Sequence, residues 1–600
     1  MSFLRLTNYT NREQGPFVQL VRHFFNGFFA SDLVSTKAET GLTLTHILAL
    51  LAVPGALISF HLLPKYSFYL ARLPLAVQDL ASLVDKCFFL AFSMVITGFI
   101  TVLEWDTLFP DGRDYRILSP LPIQLRTLFA AKGTALVLFL VIFSVVINGF
   151  STLLFPIVVD AGKGVLLNNK WFVFPQAELD VLRERISLHH ITWFIGTHAL
   201  SVFAGNTFVF LSCISIQGLL MNAFGFRAFR VISRSIQIVL MILLLSVFFL
   251  FPEILTSFDK LRQNAAFTTF FPPMWFLGLY ETMLGTRDAV LRSLATLAVV
   301  ATLLAIVAFL LVYAVSYKRH LRRSLETEPI LPTALGGLSR SLLRLVDMFA
   351  VRNPVEQASF AFVSKTILRS NKHRLYWGAY ISVGLALVLV GLVTPSSSED
   401  YAALELPNSG VLSVPLVLSF FILAGMRVIF AIPSELRSNW IFKLTEGDRM
   451  QYFSATHKVM FAFGVFPLLL LLLPFYLLLW GWPTTLIHLS YAMTLSLILI
   501  EVLLLKFQKI PFTCSYLPGK ANIKLLWSVY LFSFTTYAYT MTKLEEWLMV
   551  NPVRFAYFYA AVLPLLIGWI TYRNRSFDRT LSLTFEEEPT PAVQTLDLSY

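Results

Sequence analysis

Charged side chains are scarce in this 600-residue chain: Asp, Glu, Lys and Arg make up 14% of it, against 56% hydrophobic residues. The mean hydropathy is +0.70. A soluble chain of this size needs about a quarter of its residues charged to cover its surface, so the apolar excess must face lipid. That excludes a soluble enzyme and a nucleic-acid-binding module. The net charge of +12 then belongs to cytoplasmic loops held against anionic lipid rather than to a polyanion-binding face.

Catalytic signatures are missing as well. A phosphate-cradling loop needs GxxxxGK followed by Ser or Thr, and the nearest stretch, AGKGVLL at 161–167, lacks both the first glycine and the hydroxyl. There is no HExxH and no GxSxG. The chain therefore reads as a non-enzyme without a cofactor, and any ATP hydrolysis must come from a separate subunit. Only three cysteines occur, Cys87, Cys213 and Cys514, which excludes a disulfide framework and makes them small buried hydrophobes. His189, His190 and His198 have no cysteine or carboxylate beside them in sequence, so no metal site is expected. The first 42 residues carry no short apolar core with a cleavage site, so no removable signal peptide is expected.

What is abundant is long apolar runs. Stretches of roughly 18 or more mostly apolar residues fall at 43–63, 86–103, 129–156, 191–216, 232–252, 289–316, 375–394, 411–432, 459–480, 484–507, 523–541 and 555–572. None alternates as outer-membrane strands do. The expected fold is all-α: a polytopic helical membrane protein of about 12 spans, because only helices satisfy their own backbone groups in lipid.

Lysine and arginine set the orientation. The segment 317–374 carries eleven of them, whereas 395–410 and 481–483 carry none. Basic loops stay in the cytoplasm, which places both termini inside a cell membrane. The loop 157–190 departs from this pattern: it is assigned outside, yet contains Lys163, Lys170, Arg183 and Arg185. The organisation that follows is a first six-span half at 1–316, a basic cytoplasmic linker at 317–374, a second six-span half at 375–575, and a polar, acidic, disordered tail at 576–600.

The halves share a plan. Phe17, Leu20, Val21, Phe24, Phe25, Phe28 and Phe29 are spaced as one helical face, giving an interfacial helix ahead of the first span. Phe360, Val363, Ile367 and Leu368 form a less regular version ahead of the seventh, with Lys365, Arg369 and Lys372 opposite. Between the second and third spans of each half lies a polar cytoplasmic loop, Glu104 to Lys132 and Glu435 to Lys458. Both begin with Glu, contain a Trp and end with Lys. On the outer side, between fifth and sixth spans, come AAFTTFFPPMWFLGLYETMLG, where Pro272 and Pro273 forbid a continuous helix and Trp275 suits an interface, and TKLEEWLMVNPVRF.

This pattern resembles the permease of type-2 ABC exporters, the ABC-2 family, with two six-span halves fused in one chain. The stretch YRILSPLPIQLRTLFAAK, Tyr115 to Lys132, is similar to the family's Pro-containing turn and basic residues ahead of the third span. The resemblance implies that Glu104, Asp114, Tyr115, Pro120, Pro122, Arg126 and Lys132 form the loop that meets an ABC-type ATPase subunit. It implies a second-half counterpart at Glu435, Arg437, Trp440 and Lys458, and an external broken helix at Pro272, Pro273 and Trp275. The second loop has no Ser-Pro-Leu-Pro-like turn. One chain would supply what the family makes from two subunits, and a homodimer of the chain stays open.

Ionisable groups inside the expected spans are few. Arg427 and Glu501 sit near the cytoplasmic ends, where snorkelling accounts for them, and Asn148 and Asn206 suit hydrogen bonds between helices. The expectation is an exporter permease for an apolar or amphipathic substrate, working by alternating access on a partner's ATP hydrolysis. The alternatives are a secondary transporter of duplicated halves and a membrane-embedded enzyme or assembly factor.

Overall fold

The computed structural model describes residues 15–28, 40–70, 73–109, 118, 123–167, 187–224, 226–256, 264–324, 353–393, 409–434, 439, 442, 449–505, 510–513, 529–530 and 532–576. Among them there is no strand, and the chain is an all-α polytopic protein. Its contacts divide it into two compact units, Met1–Glu328 and Pro329–Tyr600.

In the first unit α1 (Pro16–Gly27) opens with Pro at its first turn, where the missing N–H costs nothing. It is followed by α2 (Thr40–Pro64), α3 (Leu75–Leu103), α4 (Leu125–Leu167), α5 (Leu188–Ala223), α6 (Phe226–Phe249), α7 (Phe251–Thr256), α8 (Ala265–Phe270), α9 (Pro272–Met283) and α10 (Ala289–Ser324). The central helix is α3, mostly buried, whereas α6 and α10 leave most of their apolar surface uncovered. Around α3 pack α4, α5, α6 and α9, while α2 lies along α4. Gly55 permits that last contact, since a methyl there would stand 2.7 Å from the Ile147 carbonyl oxygen. Asn206 ties three helices together: its Nδ2 donates to Ser144 Oγ at 2.9 Å, and Ser93 Oγ donates to its Oδ1 at 2.8 Å. Asn148, by contrast, bonds only within its own helix, to the Ser144 carbonyl.

The second unit holds α11 (Pro354–Arg369), α12 (Asn371–Val393), α13 (Ser409–Ile429), α14 (Arg449–Met460), α15 (Phe466–Leu504), α16 (Met541–Met549) and α17 (Pro552–Ser576). Here α13 is the buried axis, packed by α12 and α15, and α17 is almost wholly exposed. Within α15 the chain turns at Gly481, whose φ of 70° is open to glycine at no steric cost, so two spans share one continuous stretch. The helix α11, which the sequence reading placed in a linker, packs against α14 inside this unit.

Nine helices among the described residues are long and apolar enough to cross a membrane, and this is a membrane protein. They coincide with the expected spans, two of which share 450–504. The expected span 43–63 lies within α2, and 523–541 falls partly outside the described residues.

The break between α8 and α9 falls at Phe271, which is extended, and α9 restarts with Pro272 and Pro273 in its first turn. Trp275 closes the gap by donating from Nε1 to the Thr269 carbonyl at 2.9 Å. Behind it, Gly278 presses against α10: a methyl there would lie 2.5 Å from the Leu291 carbonyl oxygen. Gly278→Val should force α9 off α10 and destabilise the unit by about 1–3 kcal/mol, seen as a lower melting temperature in detergent, while Gly149→Val, which meets open space, should not.

Candidate functional site

Four expected loop residues, Asp114, Tyr115, Pro120 and Pro122, lie outside the described residues, as do Glu435, Arg437 and Trp440. The rest of the set is placed. Glu104 ends α3 and receives the Thr107 hydroxyl on its carbonyl at 2.7 Å and its carboxylate at 3.1 Å. Trp105 follows, fully buried, donating to Ser233 Oγ at 2.8 Å, and its carbonyl accepts from Gln217 at 2.7 Å. Arg126 is exposed on the first turn of α4.

Lys132 is buried, one and a half turns further on, with its ammonium 5.1 Å from the Phe24 ring centroid and 4.7 Å from that of Phe28. Such a cation over aromatic faces is attracted by the ring quadrupoles. Leu20, Phe24 and Phe28, spaced by four, are the row of α1 that turns inward against α4. The second unit reaches the same arrangement with different chemistry. Phe360, Val363 and Ile367 of α11 are buried, Lys365 and Arg369 point out, and Lys458 of α14 pairs with Glu356 of α11 at 2.8 Å. In each unit the lysine at the base of the third span therefore clasps the amphipathic helix that precedes the first.

At the opposite end of the first unit ionisable groups gather, His190 and His198 together with lysine, carboxylate and tyrosine partners that lie far away in sequence. Lys86 Nζ pairs with Glu281 Oε1 at 2.6 Å and stands 5.1 and 5.3 Å from the Phe194 and Tyr280 centroids. Tyr280 OH meets His198 Nδ1 at 2.9 Å, and His190 Nδ1 meets Asp160 at 3.2 Å. Next to them Asp85 receives Lys65 and the Tyr66 hydroxyl, each at 2.7 Å. Burial, reinforced by Asp85, holds the Tyr66 phenol well above its ordinary range, and burial with Glu281 does the same to Tyr280. Both rings stay protonated donors. Lys86, Glu281, His190 and Phe194 also line a cavity of about 570 Å³, together with Asp79, Ser82 and Thr286.

The second unit carries a related pair. His488, on the segment of α15 after Gly481, meets Glu545 of α16 at 2.6 Å, with both side chains fully buried. Tyr476 and Trp480 enclose the imidazole at centroid distances of 4.5 and 5.4 Å. Burial outweighs the imidazole and raises the Glu545 carboxyl above the usual carboxylate range.

Arg573 and His457 close on Glu501 from two other helices, so its carboxylate is answered within the bundle. Arg427 donates from Nε to the Leu503 carbonyl at 3.1 Å. The absence of a carboxylate near the histidines holds only along the sequence, since the fold brings Asp160 to His190 across 30 positions. That makes two ligands rather than three, and no group of three His, Cys, Asp or Glu residues suited to a metal occurs among the described residues.

Lys86 is legible in hindsight as a cation in an apolar run, as is the Glu-Glu pair of the short α16. Their partners, 195 and 57 positions away, are not. No protein-family model, curated protein or solved structure matches the chain.

Side chains of Lys86 and Glu281 are only 7% and 15% exposed, so each is the other's close ionic partner in a poorly solvated place. Glu281→Ala should destabilise the protein by about 3–5 kcal/mol by stranding Lys86. The double variant Lys86→Met/Glu281→Leu should lose much less than that single one, as read from melting temperatures of the variants side by side.

Proposed function

We propose that the chain is the membrane-spanning permease of an ATP-driven exporter, and that a separate ABC-type ATPase grips its cytoplasmic loops. The observation that carries this reading is the pair of clasps at Lys132 and Lys458. In both units the helix that leaves the cytoplasmic loop is fastened to an interfacial helix, so a push on the loop moves two elements together. The resemblance of Tyr115 to Lys132 to the ABC-2 coupling segment supports the same assignment, as does the lack of an ATPase motif in the chain. Alternating access would follow from repacking each unit around its buried axis. The substrate class that suits so apolar a bundle is apolar or amphipathic.

Affinity purification from the native membrane should bring down a nucleotide-binding subunit in near-stoichiometric amount. Replacing 104–132 by a neutral linker should remove that subunit while the permease still reaches the membrane. A wild-type protein that purifies alone, under conditions that keep other ABC complexes intact, overturns the proposal.

A second reading, a gradient-driven secondary transporter, is favoured by one feature, the fully buried His488–Glu545 pair, two groups able to exchange a proton inside the bundle. Its expected signature is efflux in proteoliposomes driven by a pH gradient without ATP and abolished in Glu545→Gln. Flux that needs ATP and ignores the gradient refutes it.

A further inference from the structure

The cavity of the first unit has charges of both signs on its wall. Asp79 and Glu281 supply carboxylates, Lys86 an ammonium, and His190 an imidazole backed by Asp160. A ligand of one sign would be drawn by some of these groups and repelled by others, and it would compete with the Lys86–Glu281 bond. A ligand that carries an ammonium and an acidic group a few bonds apart meets both. Its acid can approach Lys86 and His190, and its ammonium Glu281 and Asp79. At about 570 Å³ the cavity lies within the size range of small-molecule sites.

The surroundings favour a ligand with an apolar body. Leu188 and Trp193, on the turns of α5 that bracket His190, are 78% and 54% exposed. Trp193 Nε1 donates to the Met283 carbonyl at 2.9 Å, which sets its ring beside Leu284 in the cavity wall. Val77 and Leu73, at the start of α3, are exposed as well. In a membrane protein such surface is covered by acyl chains. Polar cavity and apolar flank together describe an amphiphile lying head-in, tail-out.

We propose that this cavity binds the zwitterionic headgroup of a phospholipid of the phosphoethanolamine type, with its chains on Leu188 and Trp193. The inference rests on the permease reading only for the idea that such a lipid is cargo; binding itself can be tested without any ATPase.

The test is native mass spectrometry of the full-length protein in detergent, titrated with phosphatidylethanolamine or phosphatidylglycerol of identical chains, and in a parallel arm with free phosphoethanolamine. Phosphatidylethanolamine should bind at least tenfold more tightly than phosphatidylglycerol. Thr286→Trp, which fills the cavity from the loop ahead of α10, should weaken it at least tenfold, and so should Lys86→Met/Glu281→Leu. Free phosphoethanolamine binding as tightly as the whole lipid would overturn the lipid assignment in favour of a soluble zwitterion. Equal binding of the two lipids, or binding unchanged in Thr286→Trp with its melting temperature intact, would overturn the site itself. Loss of the site with an ATPase still copurifying would leave the exporter reading standing, and the converse result would separate the two the other way.

Discussion

A charge carried into a helical bundle surrounded by lipid must bring its counter-charge or a hydrogen-bonding partner with it, because neither water nor hydrocarbon is there to answer it. Among the described residues the long-range ion pairs follow from that constraint. Lys86 finds Glu281, His488 finds Glu545, and Glu501 finds Arg573 and His457. Each joins two or three helices that no apolar contact alone would hold in register, since lipid chains are as good a neighbour to Leu and Val as another helix is. The polar partners join the close glycine contacts at Gly55 and Gly278 in specifying which helix lies beside which.

The two units meet that demand alike in position and differently in chemistry. At the base of the third span a lysine holds the amphipathic helix, over two aromatic rings in one unit and against a carboxylate in the other. At the far end a histidine early in the fourth span bonds to the short helix before the last span, through the Tyr280 hydroxyl in the first unit and the Glu545 carboxylate in the second. The positions correspond from one unit to the other while the bonds that fill them differ.

Much of the architecture is legible from hydropathy alone, because a run of twenty apolar residues has few physical options in water or lipid. The amphipathic character of the helices at Pro16–Gly27 and Pro354–Arg369 was also readable, but the face read for the first was broader than the row that is buried: Leu20, Phe24 and Phe28 turn inward while Phe17 is exposed. Proline at 272 and 273 announced a helix restart, for a stereochemical reason independent of context. The polar clusters were not readable. A span with one lysine looks like a span with one lysine, and the glutamate that neutralises it sits 195 positions away. Scarcity of charge along the chain was mistaken for scarcity of polar chemistry in the bundle, and only folding gathers scattered singletons into neighbourhoods.

One helix reaches from the Lys132 clasp to the polar cluster at the far end of the first unit. With 43 residues, α4 is roughly 64 Å long, well over the hydrocarbon thickness, and Lys132 and Asp160 lie near its two ends. Their 28-residue separation spans about 42 Å, so pivoting the rod by roughly 5° carries one end some 4 Å relative to the other. Pro156 lies between those two residues and removes one rung of the backbone ladder, so any such pivot would have its softest point just below Asp160.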